Sequence, residues 1–126
     1  MKEHVWILRQ SVLAIHDVLL ADFGGAPGIR DESLLESALA RPLNLCSYEK
    51  PNLFRLAASY THGIVNNHPF ADGNKRTGYV IGGIFLERNG QILNASEEEA
   101  TAAIMDLASS QLTEEGFTLW FRDNCT

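Results

Sequence analysis

Three things are scarce in this chain of 126 residues: cysteine, positive charge and long apolar runs. The two cysteines, Cys46 and Cys125, lie far apart and in no metal-ligand spacing. Two isolated thiols exclude a cysteine metal site and point to a reducing compartment, with Cys46 packed and Cys125 in a tail. Lys and Arg number 10 against 16 Asp and Glu, a net charge of −6. Phosphate-rich partners select basic surfaces, so this balance excludes nonspecific binding to nucleic acid or to an anionic membrane. A small basic cluster can still hold one anionic ligand inside an acidic protein. The apolar run "YVIGGIFL" is far too short to span a bilayer, and the opening "MKEHVWILRQ" lacks the apolar region of a signal peptide. A cytoplasmic protein with no membrane partner is expected. Internal repeats, low-complexity tracts and linkers are missing as well, which leaves residues 1–126 as a single domain.

What is present is an ordinary globular balance, 45% hydrophobic and 21% charged. A chain of this length buries roughly two thirds of its unfolded surface, enough for one core. Residues 5–8, "VWIL", read as a short strand or the approach to a helix. From Ser11 the apolar positions Val12, Ile15, Leu19 and Leu20 recur at helical spacing, and Gly24-Gly25 stops them. "FGGAPGIRD" is loop by composition. Asp31 or Ser33 can cap a short helix, "LLESALA", predicted to end before Pro42, with "RPLNLCSYEKPN" as a further loop. Asn52 can cap "LFRLAASYTHGIVNN", with Leu53, Leu56, Ala57, Tyr60 and Ile64 on one stripe.

After a loop at 68–73, a helix opens near Asn74 and stops at Asn89-Gly90. Its glycines, Gly78, Gly82 and Gly83, weaken helix propensity and are tolerated where neighbouring helices pass close. "QILNAS" is a brief extended piece, Ser96 with Glu99 forms a capping box, and Thr113 caps a last helix whose Phe117, Trp120 and Phe121 face inward. The sum is an all-α domain of about six helices.

Chemistry concentrates in "NNHPFADGNKRTGYV", residues 66–80. A helix starting near Asn74 presents backbone N–H groups without intrahelical partners, an anion site in combination with the helix dipole. Gly73 lets the backbone approach a ligand, and Lys75 and Arg76 add charge to the same turn. Cations are disfavoured at a helix N-terminus, so two of them suggest a negative ligand. The competing structural reading is a surface turn with Arg76 paired to Asp72 at i,i+4. A Walker A loop does not fit, because no Gly precedes the Lys at the required place.

Asp72 suits Mg²⁺, which takes one or two protein carboxylates and completes its shell with phosphate and water. It is equally an N-cap aspartate by type. His68 could accept a proton from an attacking hydroxyl, or could satisfy a helix-terminal carbonyl. Phe70, the apolar residue of the loop, reads as an anchor to the core, and Asn74 as a cap or a brace for the loop backbone. His4, His16 and His62 lack ligand spacing and read as structural. Together the loop residues fit phosphoryl or nucleotidyl transfer to a hydroxyl, chemistry that depends on positioning and charge neutralisation.

The stretch "HPFADGNKRT" resembles the signature of the Fic/Doc family, most closely its Doc (death-on-curing) branch. "IHDVLLADFGGAPGIRDESLLESALARP" and "FLERNG" resemble Doc-type proteins as well, so the likeness spans roughly residues 10 to 120. Against a family motif of the form HPFx[D/E]GN[G/K]RxxR, His68, Pro69, Phe70, Asp72, Gly73, Asn74 and Arg76 match. Lys75 stands where AMP-transferring members have a small Gly, and Tyr79 where they carry a final Arg. Both departures are the Doc pattern. Lys75 would crowd a nucleotidyl transferase's phosphate site, and Tyr79 removes a bidentate phosphate clamp.

The resemblance implies a compact Fic fold and a toxin acting as a protein kinase. It would move the γ-phosphate of ATP to a threonine of elongation factor Tu and so block translation. His68 would be the base and Asp72 the Mg²⁺ ligand. Gly73, Asn74, Lys75 and Arg76 would meet phosphate. A Phd-like antitoxin would be the partner, through a helix laid in a groove. The self-inhibitory [S/T]xxxE[G/N] pattern is not completed at Ser110–Glu114 or Gln111–Glu115, which favours restraint by a separate antitoxin. A nucleotidyl (AMP) transferase on the same scaffold, or a degenerate Fic-fold binding protein, are the alternatives.

Overall fold

Asn52, Ser96 and Thr113 each accept a backbone N–H three residues on, so three helices begin where a short polar side chain can cap them. Ser96 and Glu99 close the full reciprocal box. The computed structural model describes residues 3–126; Met1 and Lys2, which open the stretch read for a leader and the 1–126 domain, lie outside the described residues. Six helices follow one another: α1 Arg9–Phe23, α2 Glu32–Tyr48, α3 Leu53–Asn67, α4 Asn74–Arg88, α5 Glu97–Ala108 and α6 Glu114–Asp123. The all-α expectation holds, and the described residues contain isolated bridges in place of strands. None of the described helices is long and apolar enough to cross a membrane.

The central element is α3, in contact with α2, α4, α5 and α6, while α1 lies on α4. Leu56, Ala57, Tyr60 and Ile64 are buried as their stripe predicts, and Ala58, Ser59 and Thr61 are buried with them. A helix covered on several sides loses the usual polar face. Thr61 manages its hydroxyl by donating to the Gly78 carbonyl of α4 at 2.7 Å. The α3–α4 crossing is close because of two glycines. A Cβ on Gly82 would collide with Thr61 Oγ1, and one on Gly78 would sit 3.0 Å from the Thr61 carbonyl. Gly83 differs, with Leu93 Cδ2 at 3.4 Å as its only near neighbour among the described residues.

Of the two readings of "VWIL", the approach to α1 is the one observed; Ile7 N–H donates to the buried Tyr60 hydroxyl, and the helix begins at Arg9, two residues before Ser11. One expectation needs correction. Helix α2 runs straight through Pro42 to Tyr48, so the helix predicted to stop before that proline gains two turns. The stretch read as loop shrinks to residues 49–52. Proline in a helix interior costs about 3 kcal/mol through its missing N–H and its clash with the preceding turn. Here Pro42 and Leu45 are both buried, and tertiary packing overrides local propensity.

The thiols of Cys46 and Cys125 are free and partly buried. Cys125 belongs to a tail that is tied down. Ile92 and Thr126 exchange backbone hydrogen bonds, and Asn94 N–H donates to the Asn124 carbonyl. The extended piece expected around Ile92 exists through this pairing, as a bridge between Leu93 and Cys125.

Candidate active site

The site is built where α3 ends, a short loop turns, and α4 begins. His68 closes α3 as its C-cap in the left-handed region, φ 49° and ψ 55°, with its N–H on the Ile64 carbonyl. A non-glycine residue there stores roughly 1–3 kcal/mol of strain that surroundings must sustain. Those surroundings come from the loop between α1 and α2. Arg30 donates from Nε to the His68 carbonyl (2.7 Å) and from Nη2 to the Asn67 carbonyl (3.0 Å). The Arg30 and Asp31 N–H groups both donate to the Pro69 carbonyl, and Ala71 N–H donates to Gly28. Ile29 and Phe70 thereby form an antiparallel bridge.

Phe70 is 1% exposed. Its ring stacks on that of His16, centroids 3.8 Å apart and 11° from parallel. The carboxamide of Asn74 reaches back to it, accepting the Phe70 N–H and donating to the Phe70 carbonyl, each at 3.0 Å. His16 is buried in α1 and its Nε2 lies 2.8 Å from the Asp72 carbonyl. A carbonyl only accepts, so Nε2 carries the proton. Asp72 keeps its carboxylate outward: Oδ1 accepts the Gly73 N–H at 2.9 Å and Oδ2 the Ala26 N–H at 3.3 Å. Gly73, at φ 78°, is the N-cap of α4, a left-handed position that favours glycine.

No side chain caps α4, and its first turn holds no acidic residue. Among the described residues, the N–H groups of Asn74, Lys75 and Arg76 have no acceptor. Three orphan donors, the helix dipole and two cationic side chains are features that favour an anion. The alternative pairing of Arg76 with Asp72 is not among the ion pairs of the described residues; Arg76 instead lies over the Phe23 ring at 3.9 Å.

All of this faces one cavity of about 750 Å³. His68, Asp72, Gly73, Asn74, Lys75 and Arg76 form one side. The end of α1 contributes Leu19 and Phe23, and α5 supplies an opposite, mostly apolar wall with Ala100, Thr101, Ile104 and Met105. Tyr79 lines the cavity too, its ring against Trp120 and Phe121. Burial pushes its hydroxyl above the usual tyrosine range, so it stays neutral at physiological pH. Where an arginine would bring a cation, this wall has an uncharged hydroxyl.

The residues His68 to Arg76 that the sequence analysis placed at a site are thus brought together, though Phe70 stands behind the cavity and not in it. Asn74 differs in one respect: its carboxamide accepts from and donates to the Phe70 backbone, and its own backbone N–H is one of the three without an acceptor among the described residues. Sequence reasoning missed His16, Arg30 and the Ala26 N–H. For His16 a signal existed, since it lies one turn from Val12 on the buried face and a buried imidazole needs a polar partner. A single carboxylate suits Mg²⁺ shared with phosphate; the described residues hold no cluster of three or more metal-type side chains.

Comparison with known proteins agrees with this geometry. The profile of the Fic/DOC family matches residues 6–86. The chain is 33% identical over 93 residues to the protein kinase doc of Escherichia phage P1, covering 72% of this chain and 74% of that protein. It is 40% identical over 86 residues to the toxin Doc of Mycolicibacterium smegmatis, covering 63% of this chain and 65% of that toxin. With this match over more than half its length, the chain belongs to the Fic/DOC family.

Proposed function

We propose that this protein is the toxin of a toxin–antitoxin module and a protein kinase. It passes the γ-phosphate of ATP to a threonine hydroxyl, with elongation factor Tu as the target and translation as the process stopped. One observation carries the reading: an exposed His68, the Asp72 carboxylate and the uncapped start of α4 with Lys75 and Arg76 open onto the same cavity. The names of the phage P1 kinase and the mycobacterial toxin support it.

In this reading His68 takes the proton of the acceptor hydroxyl. The hydroxyl oxygen forms a bond to the γ-phosphorus as the bond to the β–γ bridging oxygen breaks, and ADP leaves. The N–H groups of Asn74, Lys75 and Arg76, with the two side-chain cations, neutralise charge that spreads over the phosphoryl oxygens. Asp72 is the residue that would hold Mg²⁺, which when bound offsets phosphate charge. Lys75 and Tyr79 favour transfer of the terminal phosphoryl over transfer of a nucleotidyl group. The first fills the anion turn and the second withholds a guanidinium clamp. A Phd-like antitoxin restrains the toxin in the cytoplasm.

The test is mass spectrometry of a bacterial lysate incubated with the protein, ATP and Mg²⁺. One protein, elongation factor Tu, gains a phosphoryl group on threonine. A nucleotidyl increment would overturn the kinase reading in favour of AMP transfer. No modification, with wild type and His68→Ala equally harmless on expression, would leave a binding protein.

A further inference from the structure

Arg30 lies outside the motif, 38 residues before His68, yet its guanidinium meets the backbone on both sides of that residue. The Asn67 carbonyl belongs to the peptide plane that rotates about φ of His68. The His68 carbonyl belongs to the plane that rotates about ψ. Arg30 donates to both, from Nη2 and Nε of one rigid planar group. A single side chain therefore fixes both backbone angles of His68, and with them the direction of its Cα–Cβ bond. The next plane is held from the same place, because the Arg30 and Asp31 N–H groups donate to the Pro69 carbonyl.

This control matters because of where His68 sits. At φ 49° it occupies a backbone region that L-residues with a Cβ disfavour, and it is one of two such residues described, with Ser110. Released, the chain moves toward the commoner extended or right-handed conformations, and either one swings the imidazole away from its present place on the cavity wall. A basic side chain on the last carbonyls of a helix is also a general stabilising device. That bland role needs charge near the helix end. It does not need a planar fork bridging two successive peptide planes, and a lysine would satisfy it.

We infer that Arg30 is a positioning residue for His68, holding the base in its left-handed conformation through paired hydrogen bonds to the carbonyls of Asn67 and His68. The inference rests on the kinase reading for its kinetic consequence and on geometry alone for its structural one. The two are separated by experiment.

Arg30→Lys and Arg30→Ala are compared with wild type below their melting temperatures. With wild type active, kcat falls about 10- to 100-fold in both variants, the scale expected of a reacting group misplaced by about 1 Å. KM for ATP stays within about twofold, since the anion turn does not touch Arg30. Methylguanidine added to Arg30→Ala restores part of kcat and nothing in His68→Ala. Equal kcat in Arg30→Lys and wild type would overturn the inference, as would parallel losses in kcat and KM or a variant with no folded population.

If wild type transfers nothing, the kinase reading fails while Arg30 remains testable. The backbone and imidazole resonances of His68 then decide by NMR. Shifts confined to residues 66–71 in Arg30→Lys uphold the positioning role, and an unchanged His68 overturns it.

Discussion

The side chain of Asn74 and the backbone of Phe70 are joined twice, donor to acceptor in both directions, inside a residue pair almost free of solvent. A four-residue turn is thereby closed as if by a rung of β-ladder. Removing the carboxamide in Asn74→Ala leaves a buried N–H and a buried carbonyl without partners. The expected loss is about 2–4 kcal/mol of stability, read as a lower urea midpoint at unchanged slope. An unshifted midpoint would show that water replaces the brace.

The glycines of α4 separate into two kinds, and stability measurements distinguish them. In Gly82→Ala the new methyl meets Thr61 Oγ1, Phe121 Cζ at 2.9 Å and the Ala57 carbonyl at 3.1 Å. Backbone and a packed ring cannot yield cheaply, so the variant loses about 3 kcal/mol or more. Gly83→Ala meets only the end of Leu93 and gains helix propensity of about 0.5–1 kcal/mol. Equal effects at the two positions would refute the close crossing of α3 and α4.

His62 gives the fold a pH dependence remote from the cavity. Burial holds its pKa below the ordinary histidine value of 6.5; Glu114 pulls it upward, and Arg41 and Arg55 push it further down. Below 6.5 the unfolded chain therefore binds the proton more readily than the folded one. Stability is full above 6.5 and declines as pH falls from there through the lowered folded pKa, after which it levels off for this group. Thermal midpoints between pH 7.5 and 5 should fall more steeply in wild type than in His62→Gln. Identical slopes would assign the acid sensitivity to the carboxylates.

The cavity residues differ from these structural ones in what their loss disturbs. His68 is exposed and its ring makes no hydrogen bond among the described contacts. His68→Ala should keep stability within about 1 kcal/mol while transfer falls by roughly 10²–10⁴-fold. Asp72→Asn keeps the size of the side chain and loses its charge. Nucleotide affinity should then lose its Mg²⁺ dependence in calorimetry; an affinity equal to wild type in the presence of Mg²⁺ would remove Asp72 from the metal-binding role.

Legibility followed the range of the interactions. Caps at Asn52, Ser96 and Thr113 act over three residues, and all were visible in the sequence. The stripe of α3 and the stop at Asn89-Gly90 are local too. Pro42 misled because its cost is local while the burial that offsets it comes from other helices. The site divides in the same way. His68 to Arg76 are close in sequence, from the end of α3 to the first turn of α4, and could be read together, whereas His16 and Arg30 reach the loop from 56 and 38 residues away. The buried face of α1 announces that His16 needs a polar partner without saying which one, and nothing around Arg30 announces the distant carbonyls that it meets.

Those long spans have a consequence for the order of events during folding. The α3–α4 hairpin is local and can form early, but the loop between its helices is shaped from outside, by His16, Ala26 and Arg30. Distant contacts close late, because their loop entropy must be met first. A newly made or partly folded chain therefore carries the motif without the geometry. Assembly of the site is coupled to completion of the fold, a built-in delay between synthesis and competence.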